Sequence, residues 1–544
     1  MNRSDFARDW DLIVIGGGIT GAGILLEAAR RGLKVLLVEQ RDFAWGTSSR
    51  SSKLVHGGLR YLKQGQFGLT RESVHEREHL LRQAAGLVEP QSFAFGDYVG
   101  RKPGKRAFLA GLAIYDRMAG QRGRHYYSRD EFAALAPNVA TDGLQGGMVY
   151  TDAKTDDARL VLRVLQEART HGAVALNYMA VVALLHTAAS GDSASDVDAS
   201  AYAGDRPAAA DGVRGVRLRD GVSGMQHEVR ARMVINAAGA WADQLRATPA
   251  AEADGRTDGH RLRPLRGSHL VLAAWRLPLA QAISLMHPAD GRPVFAYPWE
   301  GVTLVGTTDV DHSDDLSREA SITRSECDYL LAALQAQFPQ LHLNDDDIIA
   351  TYAGVRPVID SGNPDPSKET RDHALWLENG LLTVTGGKLT TFRVIALDAL
   401  KLAAKRLPEL QGKLAPQPVF AATPALCYTP DLPPGQAQRL QGRYGAQAQK
   451  LVDAARPGEL AIIPGTETIW GQLRWAARHE DICKLEDLLL RRTRIGIQLR
   501  GGGIAILPRI RAICQPELGW DDQHWEQQQA AYLALWQAHY SVPK

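Results

Sequence analysis

The stretch VIGGGITGAG, Val14–Gly23, constrains this chain more than any other. It ends a short apolar run, DLIVI, which predicts a buried strand entering a glycine turn. Ile19–Arg31 predicts a helix, and LKVLLVE, Leu33–Glu39, a second strand. A strand–helix–strand unit of about 30 residues implies a parallel sheet with a right-handed crossover. Gly16, Gly18 and Gly21 fill the pattern G-x-G-x-x-G at its join. Gly16 permits the tight turn, Gly18 admits a pyrophosphate against the backbone, and Gly21 lets the helix lie close on the sheet. The helix start supplies N–H groups and partial positive charge for phosphate. Glu39 ends the second strand, 18 residues after Gly21, where a carboxylate accepts ribose hydroxyls. Strand, turn, helix and acid in this order point to a bound dinucleotide.

FAD and NAD both use this fingerprint. A simple NAD enzyme completes its sheet soon after the acidic residue. Here the chain leaves through a polar loop, TSSRSSKLVHGGLRYL (Thr47–Leu62). It returns with two more strand–glycine–helix units, MVINAAGAWAD (Met233–Asp243) and Leu381–Leu407. Such returns suit a long, two-headed cofactor lying across a discontinuous domain. Thr70–Leu87 predicts a helix, as does Thr155–Thr170, with its acidic start and helical apolar period. Arg261–Thr308 alternates apolar and polar residues in runs such as HLVLAAW and VTLVGTTDV, which predicts an antiparallel sheet. Ala188–Gly212 is low in complexity and reads as a hairpin tip or insertion. Beyond about Pro416 the chain is rich in Gln, Ala, Leu and Trp and predicts a helical domain.

Composition narrows the partners. Glycine is 52 of 544 residues, above the usual ~7%, as tight turns and ligand-facing backbone require. Lys and Arg total 63 against 61 acids, a net charge of +2. No global field for nucleic acid follows. Cys327, Cys427, Cys483 and Cys514 are far apart and form no CxxC. This argues against a disulfide framework or zinc site and fits a reducing compartment. TTDVDHSDD (Thr307–Asp315) fails the calcium-loop pattern, because Asp314 stands where glycine is needed and Ala320 where glutamate is needed. No metal is expected. No apolar run is long enough for a spanning helix.

Nine motifs occur in one order: VIGGGITGAG, TSSRSSKLVHGGLRYL, TDDARLV, INAAGAWAD, RGSHLVL, VGTTDV, YAGVRPV, TRDH and TGGKLTTFR. Together they run from Val14 to Arg393 and resemble the FAD-dependent, membrane-associated glycerol-3-phosphate dehydrogenases of aerobic metabolism. RRTRIGIQ (Arg491–Gln498) is similar to that family's C-terminal domain. The resemblance implies an α/β chain, α+β overall. It comprises a discontinuous Rossmann-like FAD domain of the D-amino-acid-oxidase-like type, an antiparallel-sheet substrate domain over the flavin, and a helical C-terminal domain. The expected divisions are 1–65, 146–242 and 346–410 for FAD, 66–145 and 243–345 for substrate, and 411–544 for the helical part.

The implied reaction is oxidation of sn-glycerol 3-phosphate to dihydroxyacetone phosphate. A hydride leaves C2 for flavin N5, the C2 hydroxyl loses a proton, and electrons pass to a membrane quinone. A dianionic phosphate needs a cationic clamp, which arginine's planar fork suits. The resemblance places Arg60, Tyr61, Arg356, Arg371 and Lys388 around the substrate. Arginine is a poor proton acceptor, so Arg356 and Lys388 take electrostatic roles. His269 is the first choice of base and His56 the second, since histidine titrates near neutrality. The implied FAD contacts are Gly16, Gly18, Ile19, Thr20, Gly21, Glu39 and Gln40 from the first unit. The polar loop adds Thr47, Ser48, Ser49, Ser52, Lys53, His56, Gly57 and Gly58. The later units add Ala238, Gly239, Gly387, Lys388, Leu389 and Thr390.

Segment Arg101–Arg129 holds eight cations against the single acid Asp116, a balance of +7. Between its basic ends lie Phe108, Leu109, Leu112, Ile114 and Tyr115. A basic, partly apolar helix of this kind lies in a membrane interface. The expected location is peripheral, on the cytoplasmic side of the inner membrane or in the cytoplasm, with anionic lipid and quinone as partners and a homodimer as one assembly. The alternatives are an oxygen-using glycerol-3-phosphate oxidase, a related amine or hydroxy-acid oxidoreductase, and a non-catalytic or RNA-associated flavoprotein.

Overall fold

The computed structural model describes residues 6, 8–63, 65–102, 104–120, 122–186, 212–246, 261–362, 369, 372–412 and 417–544. Among them, two sheets carry the fold. The first has eight strands, ordered His373–Glu378, Leu381–Gly386, Gln226–Asn236, Trp10–Ile15, Val35–Val38 and Val174–Leu176 along its main path. Trp10–Ile15 sits inside it, parallel to Val35–Val38 on one side and to Gln226–Asn236 on the other. Gln226–Asn236 in turn pairs in parallel with Leu381–Gly386. Strands more than 200 residues apart thus share one ladder, the discontinuity expected from the repeated glycine units. Leu12, Ile13, Val14, Val35, Leu36, Leu37 and Val38 are all buried, as strands covered on both faces must be.

The helix Ile19–Ala29 begins at the glycine turn, and the helix Phe392–Ala403 lies against it. A Cβ at Gly23 would lie 2.9 Å from Phe392, so the small residue sets how close the two helices come. The predicted helix at Thr155 begins at Asp157, with the Asp156 carboxylate accepting the Arg159 amide at 3.2 Å. That bond satisfies a first-turn donor. The helix expected over Thr70–Leu87 spans Phe67–Gln83. Apart from Gly212, the low-complexity stretch lies outside the described residues. The strands on either side of it, Met179–His186 and Val213–Asp220, pair antiparallel.

The second sheet has ten strands, ordered Val310–Asp311, Leu262–Ala273, Val302–Gly306, Pro293–Trp299, Ala282–Met286, Val88–Tyr98, Leu144–Thr155 and Leu54–Val55. Ile348–Ile359 joins it beside Leu262–Ala273, and His125–Ser128 beside Leu144–Thr155. Its pairings are antiparallel except between Ala282–Met286 and Val88–Tyr98. Sheet membership divides the chain differently from the boundaries expected at 146 and 346. Leu144–Thr155 and Ile348–Ile359, expected with the FAD segments, hydrogen-bond in the second sheet, and Leu54–Val55 does the same. A strand's own pattern shows its buried face but not the partner across the ladder.

The chain beyond residue 417 is mainly helical, as predicted, and packs on this second sheet. Trp470, Trp525, Tyr532 and Trp536 share one core with Trp299, Tyr297 and Tyr352 of the sheet. The chain end is stitched down as well, with Thr351 N donating to Tyr540 O at 2.7 Å.

Candidate active site

A cavity of about 340 Å³ opens over the ends of the parallel strands. Thirteen of the predicted cofactor residues line it: Gly16, Gly18, Ile19, Thr20, Glu39, Gln40, Thr47, Ser48, Ala238, Gly239, Gly387, Lys388 and Leu389. The turn itself is forced by glycine. Gly16 has a φ of +114°, and a Cβ there would lie 2.5 Å from the Ala237 carbonyl. A Cβ on Gly21 would lie 1.9 Å from the Gly16 carbonyl, so Gly21 works under the cavity by letting the helix sit on the turn. Glu39 accepts the Gly17 amide at 2.7 Å and the Arg41 amide at 2.9 Å. Burial pushes its carboxyl up, and those two bonds oppose the shift.

The serine loop lines the cavity and binds the second sheet and the starts of two helices. Thr47 Oγ1 donates to the Val355 carbonyl. Ser48 Oγ accepts the Ile19 amide at 3.0 Å at the helix start. Ser51, which sequence reasoning missed, lines the cavity and donates to Asp157 from N and Oγ at 3.0 and 2.7 Å. Lys53 does not line the cavity. Its Nζ is buried and donates to Ser49 O at 2.9 Å and Asp157 Oδ1 at 3.0 Å. Burial and the Arg494 charge pull that ammonium down to about 8, against the pull of Asp157. Trp45, Met179, Val181, Trp241 and Gln244 also line the cavity. They come from the loop, a strand and the short helical turns after Ala238, with no spacing to mark them.

His269 lies in the second sheet on Leu262–Ala273, buried and stacked on Tyr352 with ring centroids 4.6 Å apart. Its Nε2 is 2.9 Å from Ser52 Oγ. Nδ1 has no hydrogen-bond partner among the described residues. Burial holds the imidazole well below its usual range, and the cations Arg356 and Lys53 add to this. The ring is therefore neutral. Two residues back along the same strand, and so on the same face, Gly267 makes room for the Arg356 guanidinium. A Cβ there would lie 2.2 Å from Arg356 Nη2. Arg356 donates to Asp309 Oδ1 at 2.8 Å and Thr307 Oγ1 at 3.0 Å.

Lys388 lines the cavity and follows two glycines with φ near +76° and +75°. Its Nζ donates to Ser73 Oγ and lies 4.3 Å from the centre of the Tyr61 ring. Burial pulls the ammonium down to about 8, opposed by Glu72 and Asp372. Arg60 lies in the helix Leu59–Lys63, directly before Tyr61. Arg371 lies outside the described residues.

The remaining expected contacts sit elsewhere. Gly57 donates its amide to Asp152 Oδ1 at 3.0 Å, and the space beside its Cα is filled by Tyr115 and Val74. Gly58 is closed on by Tyr61. The rings packed on these glycines are thus protein tyrosines. His56 accepts Thr390 Oγ1 at its carbonyl, 3.3 Å away. Ser49 points its hydroxyl at Gly46 O and Trp45 O.

The lining suits FAD. Hydroxyls of Thr20, Thr47 and Ser48 and a helix start are the groups that would hold phosphate, and the Glu39 carboxylate the group that would hold ribose. No cluster able to hold a metal ion occurs among the described residues.

Comparison with known proteins agrees with this chemistry. Residues 11–393 match the family model described as FAD dependent oxidoreductase. Residues 404–525 match the C-terminal domain of alpha-glycerophosphate oxidase. The aerobic glycerol-3-phosphate dehydrogenase of Staphylococcus haemolyticus is 35% identical over 519 residues, covering 89% of this chain and 87% of that protein. Its counterpart in Staphylococcus aureus is 34% identical over 510 residues, covering 89% and 86%. Among solved structures, the glycerol-3-phosphate dehydrogenase from Bacillus halodurans complexed with FAD aligns with a TM-score of 0.70 at 26% identity, covering 97% of this chain and 95% of that one. The L-alpha-glycerophosphate oxidase from Mycoplasma pneumoniae shares the fold at a TM-score of 0.55 and 16% identity, over 77% of this chain and 99% of that one. Matched along nearly its whole length, this chain belongs to the FAD-dependent glycerol-3-phosphate dehydrogenase family, with the D-amino-acid-oxidase-like fold.

Proposed function

We propose that the chain oxidises sn-glycerol 3-phosphate to dihydroxyacetone phosphate and delivers the electrons to a membrane quinone. The observation that carries this is one sheet face. Neutral His269 and the fixed guanidinium of Arg356 share it, and Ser52 ties it to the loop that lines the cofactor cavity. FAD, when bound, supplies the two-electron acceptor for the hydride leaving C2. His269 takes the C2 hydroxyl proton. Arg356 and Lys388 hold the phosphate, with Arg60 and Arg371 as further cations. A phosphate dianion against Arg356 also cancels part of the field that holds His269 neutral, which raises the ring's proton affinity when substrate is present.

The basic segment supports the quinone reading. Its helix Lys105–Ala119 buries Leu112, Tyr115 and Asp116. Arg106, Ala110, Ile114 and Arg117 lie on the exposed side at helical spacing. Arg101 folds back onto the Gly96 carbonyl at 2.9 Å, Lys105 sits 3.2 Å from the Tyr126 ring centre, and Arg124 pairs with Asp116 at 2.5 Å. Lys102, Arg106, Arg117, Arg122 and Arg129 remain at the surface. This face suits the anionic lipid of a cytoplasmic leaflet. Among the described residues, no helix is long and apolar enough to cross a membrane.

Anaerobic addition of glycerol 3-phosphate to the purified holoprotein tests the reaction. Bleaching of the oxidised flavin, restored by a water-soluble quinone analogue, is expected. No bleaching overturns the substrate. Rapid reoxidation by air with peroxide, and none by quinone, overturns the acceptor in favour of an oxidase.

A further inference from the structure

We propose that Arg494, in the helical C-terminal region, is a positioning residue for the serine loop, acting on it through Ser49 and Asp157. Arg494 is buried at a turn with φ +63°, just after a π-helical segment, Asp487–Arg492. Its Nη2 donates to Ser49 O at 2.6 Å and Asp157 Oδ1 at 3.2 Å, and its Nη1 to Leu490 O at 2.7 Å. The same two acceptors hold Lys53 Nζ, and the second oxygen of Asp157 holds Ser51. One carbonyl and one carboxylate therefore gather the end of the loop.

The start of that segment is held by the neighbouring arginines. Asp42 accepts Arg491 Nε at 2.5 Å and Arg492 Nη1 and Nη2 at 2.6 and 2.7 Å. All three arginines and Asp42 are buried. The C-terminal region thus grips both ends of residues 42–53, whose middle lines the cavity at Trp45, Thr47, Ser48 and Ser51. Nη2 presents its two N–H groups to Ser49 O and Asp157 in one plane, aimed by Nη1 on Leu490 O, an orientation that a freely rotating ammonium does not fix. Loss of Arg494 leaves Ser49 O and Asp157 with Lys53 as their remaining cation and lets the loop shift. Two contacts depend on its place: Ser48 Oγ to the Ile19 amide at 3.0 Å, and Ser52 Oγ to His269 Nε2 at 2.9 Å. The C-terminal region then acts as the fixed backing of the cofactor site and not merely as a neighbour.

The test compares Arg494→Gln and Arg494→Lys with Arg439→Gln. Arg439 joins the same region to Glu300, in the turn between the strands Pro293–Trp299 and Val302–Gly306 of the second sheet. The readouts are FAD affinity of the apoprotein by flavin fluorescence, visible circular dichroism of bound flavin, and the split between kcat and KM, all well below the melting temperature. Arg494→Gln is expected to weaken FAD binding and lower kcat by about tenfold to a hundredfold, since small misplacements cost that much. It should change the flavin circular dichroism and move KM less than kcat. Arg494→Lys should fall between Gln and wild type. Arg439→Gln should lower the melting temperature alone. Wild-type FAD affinity and turnover in both Arg494 variants overturns the proposal, as does equal loss of FAD affinity in Arg439→Gln. If Arg494→Gln does not fold, unchanged FAD affinity and turnover in Arg494→Lys overturns it. The kcat arm rests on His269 as base, whereas the FAD arm does not.

Discussion

Ser52 Oγ lies 2.9 Å from Nε2 of His269, a contact between residues 217 positions apart. It joins the loop of the cofactor cavity to the strand Leu262–Ala273 of the second sheet, so the ring's place is set from the FAD side. Replacing His269 with Asn should lower kcat by roughly 10²–10⁴-fold, the range of general acid–base catalysis. FAD content should stay near wild type, because His269 does not line the cavity. Steady-state kinetics beside the flavin-to-protein absorbance ratio checks both.

The same ring sets an acid limit on stability. Its folded proton affinity lies well below the ordinary value of 6.5, chiefly through burial. The unfolded chain therefore binds a proton that the fold refuses, and stability falls as pH drops below about 6.5. Urea melts between pH 7 and 5 should show a smaller loss in His269→Gln than in wild type.

Lys388 predicts an alkaline limb. Its ammonium is pulled down to about 8 by burial, so the free enzyme loses that charge above pH 8. The kcat/KM for glycerol 3-phosphate, which reports the free enzyme, should fall above that pH. Lys388→Arg, charged throughout, should lack this limb while keeping a lower plateau, since the longer guanidinium moves the charge from the ammonium's place between Ser73 Oγ and the Tyr61 ring.

Gly21→Ala tests the turn. The added methyl would meet the Gly16 carbonyl at 1.9 Å, and backbone has no rotamer through which to yield. Overpacking of this kind costs roughly 1–3 kcal/mol or more. The variant should purify with little flavin and melt lower than wild type by differential scanning calorimetry.

Neutralising the exposed cations Lys102, Arg106 and Arg117 to Gln should weaken binding to vesicles containing anionic lipid. At about 1 kcal/mol per cation the loss is roughly a hundredfold, read by co-sedimentation. Arg101→Gln should do little, because Arg101 already folds onto Gly96 O and the Tyr98 ring. Equal binding by the triple variant would contradict lipid attachment.

The parallel sheet and its cavity were legible in the chain because glycine spacing is dictated by backbone geometry. Gly16, Gly239 and Gly387 each mark a strand end, and all three reach one cavity. The alternating runs near His269 likewise announced the second sheet. Side-chain allegiance was less legible. Lys53 and Gly57 sit in the motif that marked the site, yet Lys53 spends its charge on Asp157 and Gly57 packs against Tyr115. Nothing local in TSSRSSK shows that its cation turns inward. The arginine grip was hidden for a different reason. Arg491 and Asp42 stand 449 positions apart, and charge pairing over that separation leaves no periodic trace.

The parallel ladder also orders events in time. Trp10–Ile15 leaves the ribosome first, but its neighbour Gln226–Asn236 follows more than 200 residues later, and Leu381–Gly386 later still. Long-range parallel pairing is slow to form and rewards the chain only once its ends meet. The first fifty residues therefore carry the cofactor fingerprint without being a folding unit. A nascent chain completes the lining of the cavity only when its last glycine turn emerges, and translation pauses before that point prolong the exposure of bare, apolar strand edges.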